Sequence, residues 1–201
     1  VDRLTALDVL RQGRKRIFLL NEEAFGYLEN VALSKAAQAV LPKWRSEKVW
    51  EETAFMKRLD HALPSLNIQQ RTAILGAAAV AAYHAEKDVP IVDTLVCDDA
   101  SVFHWLTRAM MLCWVHDGRA YKKLEPVIAL HRQQQEDFLK NYWDYYHQLL
   151  AYREKPTAEE CKRLESQFDI LFATKTGYDD LNQRIAMTCA KKTSLLQVLQ
   201  H

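Results

Sequence analysis

The chain is poor in the residues that interrupt helices: five glycines and five prolines among 201 residues. So few breaks argue against a chain cut into many short pieces and predict that long helices dominate. Charge of one sign is also missing. Twenty-seven Lys and Arg against 26 Asp and Glu give a formal net charge of +1, so nothing binds nucleic acid through overall basicity, and any DNA contact has to come from local patches. The four cysteines, Cys97, Cys113, Cys161 and Cys189, lack paired spacing. They read as free thiols of a reducing compartment rather than a disulfide frame. The longest apolar stretch, 74–83, is too short to cross a bilayer. The start, Val1-Asp2-Arg3, has neither an initiator Met nor a signal-peptide pattern, and the chain reads as an internal piece of something longer.

What is present is an ordinary core-forming composition, 49% hydrophobic and 26% charged, without internal repeats or low-complexity segments. Leu4, Leu7 and Leu10 recur at helical spacing and stop near Gly13, and residues 16–20 form a short apolar run compatible with a strand. The pattern predicts helices over 22–30, 34–41 and 46–62, the last opened by Ser46 and closed before Pro64. Another is expected over 68–86, its Ala-rich centre suited to tight burial. After Pro90 the texture becomes β-branched, predicting a buried strand over 91–97 that ends in Asp98-Asp99. A helix over 101–108, a second buried strand over 110–115 and a short helix over 118–124 follow. From Val127 onward the chain reads as helical, over 127–153, from 157 to about 175, and over 178–200. Thr157 and Glu160 fit a capping box, and Gly177 separates the last two helices.

Chemistry concentrates at Asp98 and Asp99. Carboxylates at the carboxyl end of a buried strand occupy the place where open α/β sheets build ligand and metal sites. Magnesium prefers such hard oxygen donors, and two such ions ~3.5–4 Å apart can activate water and stabilise a leaving oxygen in phosphodiester cleavage. Strand-end aspartates also serve as caps, and Asp99 fits that role better. His116 follows a strand as well; it lies either beside a bound phosphate or at the start of the next helix, and both readings stay open. Cys97, Cys113, His104 and His116 raise a zinc reading, but only Cys113 and His116 are closely spaced. Tyr142, Trp143 and Tyr146 fall at helical spacing and are expected in the core rather than stacked on bases. Lys122-Lys123 and Arg14-Lys15-Arg16 are short basic runs that either touch phosphate or remain solvated.

Two stretches carry a resemblance. Asp98-Asp99-Ala-Ser-Val-Phe103-His-Trp-Leu106 and Cys113-Trp-Val-His116-Asp-Gly-Arg119-Ala-Tyr121-Lys-Lys-Leu124 resemble DDE-class insertion-sequence transposases, those of the insertion sequence 66 family above all. In that family the second catalytic aspartate ends a strand with an aromatic five residues later, as Asp98 and Phe103 do. The Cys-Trp-x-His-x-Arg-Arg motif maps onto Cys113, Trp114, His116 and Arg119, with Gly118 in place of the first Arg. The likeness extends to residues 2–10 and 191–199, nearly the whole chain.

It implies an α/β RNase-H-like core fragment, predominantly α here, with long helical insertions and two or three short strands. Residues 1–20 would begin the core, 21–87 form a helical insertion, 88–126 return to the core with the second Asp, and 127–201 form a second insertion. The first catalytic Asp and the final Glu would lie outside this chain. The function implied is metal-dependent DNA strand cleavage and transfer in the cytoplasm of a bacterium, on its nucleoid, and this piece alone is expected to be inactive. Asp98 would hold Mg²⁺ or Mn²⁺ with ligands from elsewhere, His116 and Arg119 would orient phosphate, and Lys122 and Lys123 would contact DNA. Its partners would be transposon ends, target DNA and further copies of the protein, and no membrane. The alternative is a non-catalytic helical interaction module left by a truncated transposase gene.

Overall fold

The computed structural model describes residues 2–46 and 48–200. The chain is mostly helical, 63%, with a few short strands, as the scarcity of glycine and proline predicts. No helix among the described residues is long and apolar enough to cross a membrane. Contacts divide the chain into two compact units, Val1–Asp93 with Ala100–Arg108, and Thr94–Asp99 with Ala109–His201.

The first unit is built around one helix. It holds α1 (Arg3–Leu10), β1 (Ile17–Phe18), α2 (Glu22–Leu28), α3 (Lys35–Val40), β2 (Trp50–Glu51), α4 (Glu52–Ala62) and α5 (Ile68–Ala85). Ile74 through Tyr83 of α5 are all buried. Their mostly small side chains allow close approach, so the Leu19 amide donates to the Ala78 carbonyl at 2.9 Å, a helix carbonyl normally screened by larger neighbours. Asn21, Ser34 and Asn67 cap α2, α3 and α5 through their side chains, each satisfying an amide that the first helical turn leaves over. β1 and β2 pair antiparallel, with Ile17 opposite Glu51 and Phe18 opposite Trp50. Phe18 stacks on Phe55 of α4 at 4.8 Å.

Two expected helices of this unit take another form. The helix expected from Ser46 starts instead at Glu52, with Glu51 as its cap. The Ser46 hydroxyl accepts from the Lys48 amide, and Trp50 and Glu51 are drawn into the strand pair. Residue 47 of that expected helix lies outside the described residues. The helix expected over 101–108 reduces to one 3-10 turn, Ser101–Phe103. Arg3 claims the carbonyls of Ser101 at 2.7 Å and His104 at 3.1 Å and sits over the Trp105 ring at 4.2 Å. Trp105 adopts a φ of 75°, which no α-helix accommodates.

The second unit carries β3 (Thr94–Cys97), β4 (Ala109–Leu112), α6 (Trp114–Lys122), α7 (Ala129–Tyr152), α8 (Ala158–Phe172), α9 (Asp179–Cys189) and α10 (Lys192–Leu195), closed by a 3-10 turn over Leu196–Gln200. The expected single helix over 178–200 is therefore broken after Cys189. β3 and β4 pair in parallel, from Thr94 opposite Ala109 to Cys97 opposite Leu112. Both strands are shorter and more open than expected. The Val92 amide is spent on the Tyr83 hydroxyl at 2.8 Å, so pairing starts only at Thr94, and Val96 is 60% exposed. β4 stops at Leu112 because the next residues already turn: the Asp117 amide donates to the Cys113 carbonyl and α6 begins at Trp114, ahead of the expected start at 118.

The core of this unit is aromatic. Trp114, Tyr121, Phe138, Tyr142, Tyr145, Phe168 and Phe172 are buried together, with Trp143 and Tyr146 packed on its edge. Thr157 caps α8 by accepting from the Glu160 amide at 3.1 Å. The closest approach is at Gly118, where a Cβ would lie 2.7 Å from the Trp143 ring and 2.8 Å from the Tyr142 ring. Any larger residue there, arginine included, collides with α7. We expect Gly118→Ala to destabilise the fold by about 1–3 kcal/mol from overpacking, despite alanine's better helix propensity. Urea denaturation of both proteins measures this, and a neutral or stabilising result would contradict the close packing.

Candidate functional site

The second unit holds a cleft of about 110 Å³ at the end of the parallel strand pair, lined by Asp98, Asp99, Cys113, His116, Asp117, Arg184 and Lys191 among others. Its origin lies in the register. Cys97 lies opposite Leu112 and the Cys113 amide donates to the Cys97 carbonyl at 2.9 Å, so both strands end together. Asp98 and Asp99 leave from one strand while the other turns into α6. Cys113, the residue before α6, offers no side-chain cap, and the amino-terminal end of that helix favours negative charge nearby.

Beneath the cleft lies a buried polar cluster. Asp117 is 7% exposed and pairs with Arg184. It also accepts from the Thr188 hydroxyl at 3.0 Å and the Tyr142 hydroxyl at 3.1 Å. Tyr121 donates to Thr188 at 2.7 Å, and Tyr142 also lies 2.8 Å from the Trp114 carbonyl. Burial pushes the Tyr142 phenol well above its ordinary range, and the Asp117 carboxylate adds to the shift. Tyr121 is raised too, again first by burial. Both phenols thus stay neutral donors at any ordinary pH. Asp99 lies at the cleft's edge and pairs with Lys191 at 2.5 Å. Burial pushes the Cys97 thiol up to about 11, with the neighbouring Asp98 and Asp99 carboxylates adding to it.

Of the residues singled out by sequence, Asp98 and His116 meet in this cleft. Asp98 is half-buried, and His116 is exposed in the first turn of α6. Arg119 is exposed one turn further on and is not among the residues lining the cleft. Lys122 and Lys123 stand at the far end of α6, about 9 Å along its axis from His116 at 1.5 Å per residue. The Lys122 ammonium lies 5.4 Å over the Trp143 ring, and the Lys123 amide closes the helix on Ala120. In the other basic run, Arg16 is committed to Asp8 at 2.7 Å and Glu52 at 3.4 Å.

Sequence reasoning missed Asp117, Arg184, Thr188 and Lys191. A usable signal existed: Arg184 and Thr188 are four apart on one helix, flanking the apolar Ile185, which puts two polar groups on a face that has to be buried. Among the described residues, no three His, Cys, Asp or Glu side chains converge to hold a metal ion by themselves. Asp98 and Asp99 nevertheless have the donor chemistry of part of a magnesium site, with two carboxylates and only oxygen offered.

Comparisons add little to this geometry. No family model matches the chain, and no solved structure matches it. It is similar to a protein of Sinorhizobium fredii (strain NBRC 101917 / NGR234), the uncharacterized protein y4jO, with 28% identity over 200 residues covering 98% of this chain and 61% of that protein. The chain thus spans about three fifths of that relative's length.

Two measurements follow from the site. Asp117→Ala leaves the Arg184 cation buried without its partner, which costs about 3–5 kcal/mol. Adding Arg184→Leu is expected to recover part of that loss in urea melts, because the two sites share one interaction. Equal and additive losses would refute the pairing. For Cys97, the raised thiol predicts that iodoacetamide labelling, followed by mass spectrometry, climbs with pH through about 11. A plateau reached near neutral pH would refute it.

Proposed function

We propose that this chain is an internal part of the catalytic region of a DNA transposase, acting by metal-dependent strand cleavage and transfer on transposon ends and target DNA. The observation that carries the reading is the position of Asp98. It follows directly on a strand paired in parallel, at the edge where α6 begins, and shares a cleft with Asp99 and His116. That is where α/β sheets collect metal-binding carboxylates. In this reading β3 and β4 are neighbouring strands of an RNase-H-like sheet. The other two catalytic carboxylates come from sequence outside residues 1–201, as the resemblance to insertion sequence 66 transposases implies.

The roles divide by chemistry. The Asp98 carboxylate supplies hard oxygen donors facing the cleft. His116, carried on the first turn of α6, reaches the phosphate whose bond is broken. Lys191 balances the charge of Asp99 and keeps two adjacent carboxylates from repelling each other. A bound Mg²⁺ or Mn²⁺ would act as a Lewis acid and lower the pKa of water. Arg119, on the exposed side of α6, and Lys122 and Lys123 at its end would contact the DNA backbone away from the reacting phosphate. Copies of the protein would assemble on the DNA. Because such catalysis rests on positioning and charge neutralisation, a chain holding one of three carboxylates should not complete it.

Mn²⁺ titration followed by electron paramagnetic resonance tests the metal role. We expect weak binding by the 201-residue chain that is lost in Asp98→Asn, while circular dichroism is unchanged. Equal Mn²⁺ binding by both proteins would remove Asp98 from the metal site. In a supercoiled-plasmid assay with Mg²⁺ or Mn²⁺, the chain is expected to leave DNA uncut. Cleavage that disappears in Asp98→Ala would show instead that the missing carboxylates are not needed.

A further inference from the structure

Residues 43–58 hold the chain's densest mixture of tryptophan and cations: Lys43, Trp44, Arg45, Lys48, Trp50, Lys57 and Arg58. In the first unit three elements and the loop before β2, which carries Lys48, bring four of them together. Trp44 ends a 3-10 turn, Leu41–Trp44. Trp50 is held in β2 opposite Phe18, and Arg58 projects from α4. The Arg58 guanidinium lies 4.6 Å from the Trp44 ring and 4.8 Å from the Trp50 ring, and the Lys48 ammonium lies 4.2 Å from the same Trp50 ring. Neither tryptophan is buried, so these indoles are not core residues. Among the described residues, no carboxylate pairs with Lys48 or Arg58. Arg45, by contrast, is committed to Glu22 at 3.0 Å.

A guanidinium held against an indole keeps its planar N–H edge ordered, at little further entropy loss when it meets an anion. Lys48 is exposed and free to swing from Trp50 to a phosphate, which opens the indole to another planar group. Cations without carboxylate partners, interleaved with solvent-accessible aromatic rings, match the two chemistries of an unpaired nucleic-acid strand: phosphate and base face. A duplex hides its base faces and would use only half of this surface.

We propose that Trp44, Lys48, Trp50 and Arg58 form a binding surface for single-stranded DNA. The inference extends the DNA reading above to a second surface and makes no use of the Asp98 cleft. In a transposition reaction it would hold a strand freed from its duplex.

The test uses the 201-residue chain in EDTA, so that no metal contributes, with a fluorescein-labelled 20-nucleotide strand of mixed sequence followed by anisotropy and by tryptophan quenching. We expect binding that weakens steeply with salt and is weaker for the duplex of the same sequence. Lys48→Gln with Arg58→Gln should weaken it about tenfold and lower the log–log salt slope by about 1.4, at about 0.7 per phosphate on a single strand. Trp44→Phe should reduce the quenching. Lys140→Gln with Lys155→Gln removes the same charge from exposed positions of the second unit and should change affinity less than about twofold, the limit for non-specific charge loss. Circular dichroism checks that each variant is folded. No strand binding by the parent, equal loss in the control pair, or duplex bound as tightly as single strand would each overturn the proposal. Asp98→Asn separates it from the metal reading: that variant is expected to bind the strand normally while losing Mn²⁺, so either idea can fail alone.

Discussion

One buried carboxylate sets the arrangement of the second unit. Asp117 cannot be charged in an aromatic core unless donors surround it, and the three donors come from two other helices: Tyr142 on α7, and Arg184 and Thr188 on α9. Each of these bonds has a direction, so the helices are fixed in rotation as well as in distance, which apolar packing alone does not achieve. Replacing such a pair with apolar residues of equal volume is often neutral or stabilising, so we read the cluster as specifying geometry. Through α6 that geometry reaches His116, one residue before Asp117, and through α9 it puts Arg184 at the cleft wall.

The first unit solves its packing problem in the opposite way. Its central helix has almost no side-chain bulk between Gly76 and Ala82, so neighbours approach the backbone itself, and the Leu19 amide bonds to a helix carbonyl. Polar ties lie around that seam. Arg11 pairs with Glu86 at 2.8 Å. The His84 ring nitrogens face Glu23 at 2.6 Å and the Leu106 carbonyl at 3.1 Å, which fastens residues 100–108 to α2 and α5.

Much of this was legible in the sequence where a local rule decided the outcome. The Ala-rich stretch gave its burial directly, Thr157 with Glu160 gave the start of α8, and the two-strand texture around Asp98 gave β3 and β4. Reading failed where a distant partner decided. Nothing within residues 101–108 reveals that Arg3 will take their carbonyls, and nothing near Ser46 reveals that Trp50 will pair with Phe18. At the site, Asp98 and His116 stood out because each was expected to follow a strand; Asp98 does, whereas His116 lies in the first turn of α6. Lys191 did not stand out, being 75 positions beyond His116 on a segment that looks like ordinary helix, and Arg184, 68 positions beyond, showed only through its spacing to Thr188 on a face that has to be buried. Gly118 reads as a gap in a motif when taken alone, whereas its surroundings show that α7 leaves no room for a side chain.

The parallel ladder of β3 and β4 has a consequence for how the chain assembles. Four residues per strand cannot sustain such a pair in water, and β4 gains its cover from α10 and the closing turn over Leu196–Gln200, which the Trp114 indole fastens by donating to the Leu195 carbonyl at 2.9 Å. The strand that presents Asp98 therefore waits for a segment made roughly a hundred residues later on the ribosome. Loop closure over that span is slow, so the cleft is among the last features of the second unit to form, and until then Asp98 and Asp99 sit beside a ladder not yet zipped.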